Sequence, residues 1–193
     1  MQDEIETALA EVGDARLRAA LRTVFAHEGG FVDDPADPGG ATQYGISLRS
    51  LRQWDDAGAV DGDRDRDGDV DADDIRRMTP ATAARIYRDQ WWERHGYGRL
   101  PGEVAVKVFD LAVNMGAAQA HKILQRAVRA ADGPALADDG ILGPKTRAGV
   151  AAVEEGRLLA ALRAEAAGFY RGLVAADARR ERFLTGWLNR AYA

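Results

Sequence analysis

The sequence contains no cysteine. Disulfides, thiolate nucleophiles and thiolate metal sites are therefore excluded, and the lack by itself says little about compartment. No run of residues is long and apolar enough to span a bilayer. The opening residues, MQDEIETALAEVGDARL, are acidic and carry no apolar core, so no secretory signal peptide is expected. The net charge of −5 is local: Asp61 to Asp74 holds eight aspartates against two arginines, and the rest is almost neutral. From Arg157 onward seven arginines face only Glu165, Asp177 and Glu181. Such a tail attracts anionic cell-wall polymers or membranes, or is a solvated helix face, and composition leaves both open. At 193 residues the chain has room for one or two domains with a real core.

What is present reads mostly as helix. Residues 3–28 fit one or two helices, broken or bent near Gly13. Ser47 caps a helix to about Asp56, with Leu48, Leu51 and Trp54 inward. Thr79-Pro80, an N-cap followed by proline at the first helical position, opens a helix through Tyr87 to about Trp92. Pro101 opens another, with a buried stripe of Val104, Val108, Leu111 and Met115. Asp110 and Asn114, four apart, share a different side of it. Helices are also expected over 117–130, 154–176 and about 180–191, the last burying Phe183, Leu184, Trp187 and Leu188.

The chain is organised around AHEGGFVDDPADPGGATQYGI, Ala26 to Ile46. Leu17, Leu21 and Val24 form one helical stripe, and Glu28 is its next position. Gly29 and Gly30 then stop the helix. A carboxyl on an apolar stripe at the negative end of a helix dipole is pushed toward its protonated form. That is the state a general acid needs. The turn-rich segment that follows fits a short irregular hairpin or looped excursion, and its aspartates stay ionised. Two carboxyls driven apart in pKa are the pattern of glycoside hydrolysis. A solvated helix-end glutamate followed by turn-forming aspartates gives the same composition.

EGGF followed by DDPADPGGATQYGI resembles glycoside hydrolase family 108, the N-acetylmuramidase and "secretion activator" family. The resemblance implies that Glu28 is the essential catalytic residue. Phe31 stands where the family usually has tyrosine, which keeps the ring and drops the hydroxyl. A looser similarity to phage lysozymes, which space a glutamate, an aspartate and a threonine, makes Asp37 the candidate second carboxylate, with Asp34 as the alternative. It also brings in Thr42, one residue short of the usual spacing. IYRDQWW and FDLAVNMG resemble further family segments. They add Trp92, Asp110 and Asn114, with Tyr44, as candidate substrate-binding residues. DDGILGPKT, Asp138 to Thr146, resembles a motif of peptidoglycan-binding modules.

The aspartate stretch carries a second signal. From Asp63, acidic residues fall at loop positions 1, 3, 5, 9 and 12, with Gly68 at 6 and Val70 at 8. This is similar to the calcium loop of EF-hand and dockerin motifs, where alternate side chains converge on one cation and glycine makes the sharp turn. Asp63, Asp65, Asp67 and Asp74 are the expected side-chain ligands, Asp69 through its carbonyl and Asp71 through water. The ion, Ca2+, is expected to be structural: it pins the helix ending near Trp54 to the one starting near Asp71. A solvated acidic loop is the bland alternative.

The expected fold is mostly α and lysozyme-like, with a small irregular or β hairpin after the catalytic helix and an EF-hand-like calcium loop. Residues 1–130 are expected to form the catalytic region, with the loop inserted at 61–74. Residues 131–193 are expected to form a peptidoglycan-binding helical region packed with the first as one unit. The expected function is an endolysin, a monomer that acts on peptidoglycan with no nucleic-acid partner and no stable membrane insertion. It would be made in the cytoplasm and reach the cell wall through a holin or a secretion system. The rivals are a non-catalytic wall-binding or secretion-accessory protein, a dockerin-type module and a lytic transglycosylase.

Overall fold

The computed structural model describes residues 2–27, 30–33 and 39–193. The chain divides into two compact units, Met1–Gln90 and Trp91–Ala193.

The first unit opens with α1 (Gln2–Ala10) and α2 (Ala15–His27). The break expected near Gly13 is there. The Asp14 carboxylate accepts the Arg16 and Leu17 N–H groups at 2.9 and 3.4 Å, capping the new helix. Leu17, Leu21 and Val24 are buried as the stripe requires. A two-stranded antiparallel hairpin follows, β1 (Thr42–Gln43) against β2 (Ile46–Ser47). Its turn residues, Tyr44 and Gly45, have φ of +50° and +77°. That is the mirror-image turn whose twist suits a hairpin. Tyrosine is an unusual choice at positive φ, and two contacts hold it. Its ring packs on Phe25 with centroids 5.8 Å apart, and its carbonyl accepts the buried Tyr87 hydroxyl at 2.9 Å.

Ser47 caps α3 (Leu48–Asp56) through Ser50 N–H at 3.2 Å. The aspartate loop then leads into α4 (Ala72–Arg76). Thr79 caps α5 (Pro80–Tyr87), with Pro80 in its first turn. Arg88 to Glu93 continue as a π-helical turn instead of the plain α-helix expected to Trp92.

The second unit is built on α6 (Gly102–Met115), α7 (Ala117–Ala130) and the long α9 (Glu155–Ala176). Val104, Val108, Phe109 and Leu111 meet a core that also includes Ile123, Leu124, Leu158 and Leu162, all fully buried. Each such side chain contributes about 1.5–3 kcal/mol. The short α8 (Pro144–Ala151) precedes α9, and α10 (Glu181–Tyr192) ends the chain. One expectation fails here. Phe183 is 45% exposed and Leu184, Trp187 and Leu188 are only half-buried, while Arg190 and Ala191 are the buried positions of α10. Trp187 lies flat against Tyr170 of α9 at 5.3 Å, and Phe183 leans on the outer side of Trp187.

Candidate functional site

Glu28, Asp37 and the alternative Asp34 lie outside the described residues. The chain that frames them is described. Ahead of Glu28, α2 delivers the buried stripe. After it, Phe31 is half-buried with the Arg76 guanidinium 4.6 Å from its ring centroid. A cation over an aromatic face needs no hydroxyl, so the tyrosine-to-phenylalanine departure is accommodated here. Val32 exchanges both backbone hydrogen bonds with Thr42, at 2.9 and 2.7 Å. Gly39 is held by its carbonyl, which accepts Arg49 N–H at 3.1 Å.

Thr42 is half-buried, and its hydroxyl donates to the Gly40 carbonyl at 3.4 Å. Tyr44 is 7% exposed, so its ring serves the core beneath the hairpin. A groove of about 730 Å3 runs beside the hairpin in this unit, lined by Gly39, Gly40, Arg49, Arg52, Gln53 and Asp56 among others. Sequence reasoning did not single it out.

Trp92, Asp110 and Asn114 belong to the second unit. Trp92 is 1% exposed and meets Phe109 and Tyr97 edge-on at 5.7 and 6.4 Å. Its ring faces are enclosed, as most aromatics at helical spacing are. Asp110 is fully buried and accepts Arg190 Nε at 2.9 Å, with Lys107 Nζ 3.8 Å away. Lys107 in turn donates to the Arg190 carbonyl at 2.8 Å. Asn114 is exposed and accepts the Tyr170 hydroxyl at 2.7 Å. Both polar residues of the D-x-x-x-N string therefore fasten α6 to later helices.

DDGILGPKT is also held from within. Asp138 pairs with Arg126 and Arg129 at 2.7 and 2.5 Å, and these hold its carboxyl down at about 2. Gln125 binds Asp139, Ile141 and Thr146. Gly140 has φ of +74°, and a Cβ there would sit 2.7 Å from the Ala118 carbonyl, so only glycine fits. The Gly140 carbonyl accepts His121 Nδ1 at 2.9 Å. That leaves Nε2 as acceptor for the Tyr97 hydroxyl at 3.0 Å. His95 packs on both rings, and burial, His121 and Arg94 push it down to about 4. No string of neighbouring residues signals this cluster, which is assembled from three separate segments.

The six aspartates form two groups, Asp63–Asp65–Asp67 and Asp69–Asp71–Asp74, each with carboxylate oxygens within 4.8 Å of one another. The backbone wraps the first acid. Asp63 accepts N–H groups from Arg66, Asp67 and Gly68 at 2.6, 3.2 and 3.1 Å. Gly68 turns at φ +103°. Asp74 is buried and accepts from Arg64, Asp65 and Asp71. Asp71 caps α4. Asp65 Oδ1 is buried without a hydrogen-bond partner. Burial, then Asp67, raises the Asp65 carboxyl, and Asp67 raises that of Asp69. Crowded carboxylates of this kind, one oxygen unsatisfied, fit a hard divalent cation with oxygen ligands.

The chain is mostly helical, with a short antiparallel hairpin after its second helix, a lysozyme-like arrangement. Residues 21–116 match the family model described as Glycosyl hydrolase 108, and residues 119–192 the model described as Predicted Peptidoglycan domain. Among solved structures the chain is similar to the one titled "Structure of Brucella abortus SagA". The two are 31% identical with a TM-score of 0.71, over 91% of this chain and 89% of that one. No curated protein matches. The chain belongs to the glycosyl hydrolase 108 family.

Proposed function

We propose that the protein is a muramidase that hydrolyses the β-1,4 bond between N-acetylmuramic acid and N-acetylglucosamine. The observation that carries the reading is the joint match of a glycosyl hydrolase region and a peptidoglycan region on one chain, the first enclosing the EGGF…DPGG string. In this mechanism Glu28 protonates the glycosidic oxygen as its bond to the anomeric carbon breaks. Asp37 takes a proton from the water that adds to that carbon. Inversion fits this division of labour, with the carboxyls about 6.5–9.5 Å apart. Thr42 and Tyr44 belong to the hairpin that follows this segment in the chain.

The aspartate loop is proposed to hold Ca2+ through Asp63, Asp65, Asp67 and Asp74, with the Asp69 carbonyl and Asp71 through water. The ion would neutralise the loop and tie α3 to α4. The protein is proposed to act as a monomer on the cell wall, after release through a holin or a secretion system.

The experiment is a digest of purified sacculi. The wild type is expected to release reducing ends, and Glu28→Gln to fold normally and release none. Retention of most activity in Glu28→Gln would remove Glu28 from the role. A 1,6-anhydro product in the mass spectrum would replace hydrolysis by transglycosylation.

A further inference from the structure

We propose that the groove along α3 seats the peptide stem of peptidoglycan, with Arg49 receiving a stem carboxylate. The assignment rests on the peptidoglycan reading above. Gly39 and Gly40, which form one end of the groove, close the DPGG string that follows Asp37 in the sequence. Two backbone bonds fasten α3 to that string: Arg49 N–H to Gly39 O at 3.1 Å and Leu48 N–H to Ala41 O at 2.8 Å. Arg49 is thereby fixed beside the segment on which the catalytic reading depends.

Its side chain is exposed, and its guanidinium makes no hydrogen bond or ion pair among the described residues. The neighbouring arginine is employed otherwise: Arg52 Nε donates to the Val70 carbonyl of the aspartate loop at 2.6 Å. An arginine fork suits a carboxylate, which it binds through two parallel hydrogen bonds. The amino-sugar backbone of the substrate offers few anions, whereas its peptide stems carry free carboxylates. Asp56 lines the same groove seven residues further along α3, about 10 Å away by helical rise. The order of charge, cation nearest the DPGG string and anion beyond it, complements a stem with a carboxylate near the sugar and a diamino-acid amine further out. Gln53 between them offers a donor and an acceptor to the peptide backbone.

The test compares two substrates: intact sacculi, and the same glycan stripped of its stems by an amidase, with the lactyl carboxylates that this hydrolysis frees capped as methylamides so that no new anion replaces those of the stem. Reducing-end release is measured on both for the wild type, Arg49→Gln and Arg49→Glu. The wild type is expected to prefer the intact substrate. The ratio of the two rates is expected to fall about fivefold in Arg49→Gln and further in Arg49→Glu. Arg49→Lys restores part of the ratio, since it keeps the charge without the fork. A wild type without preference, or an unchanged ratio in the variants, overturns the stem assignment while leaving the muramidase reading intact. A wild type that releases reducing ends from neither substrate overturns both. Arg49 is exposed and its backbone N–H survives substitution, so the variants are expected to fold; circular dichroism checks this.

Discussion

Asp110, buried on α6, meets Arg190 across eighty residues of chain, with Lys107 alongside. Removing one member of such a group strands the opposite charge in a dry interior. Asp110→Ala should cost about 3–5 kcal/mol, read as a lower urea midpoint, because breaking a buried pair is far worse than never having it. A double variant, Asp110→Leu with Arg190→Met, should recover much of that loss. Histidine sets a second residue-scale expectation. His95 titrates at about 4 in the folded chain and near 6.5 unfolded. Between these values the unfolded chain binds the proton and the folded one does not. The stabilising contribution is whole above pH 6.5 and is lost as the pH falls toward 4. Melting temperature should therefore drop across that window, and His95→Phe should flatten the drop. At this scale the sequence was partly legible. Asp110 and Asn114 stood out as polar residues on an apolar helix. That they serve Arg190 and Tyr170 depends on contacts 80 and 56 residues distant, which local spacing does not encode.

The elements were more readable, because their signals are local. Ser47 and Thr79-Pro80 announced α3 and α5 through the cap chemistry that the structure uses. Gly68 makes its sharp turn at positive φ, where glycine is favoured. Helical period does not say which stripe finds a partner, and that is why α10 was misjudged. Its aromatic face stacks on Tyr170 through Trp187 and leaves Phe183 largely exposed, while the Arg190 side is the buried one. Two predictions belong here. A chelator should lower the melting temperature by several degrees and added Ca2+ restore it, since an ion that binds only the folded state stabilises it. Asp63→Ala should abolish the response; indifference of the wild type to both additions would remove the ion. Gly140→Ala should destabilise by about 1–3 kcal/mol, because it combines positive φ with a backbone collision. A thermal melt within a degree of wild type would contradict that.

For the whole molecule, two regions matched to a hydrolase and to a peptidoglycan domain share one chain in which, among the described residues, no helix is long and apolar enough to cross a membrane. Light scattering is expected to give a single copy of 20.9 kDa. The role proposed for Glu28 is to supply the proton that releases the glycan. Its most direct test is the rate of reducing-end release from sacculi by wild type and a folded Glu28→Gln. The variant is expected to lose about 10²-fold or more, the contribution of a general acid. Equal rates in the two proteins would contradict it.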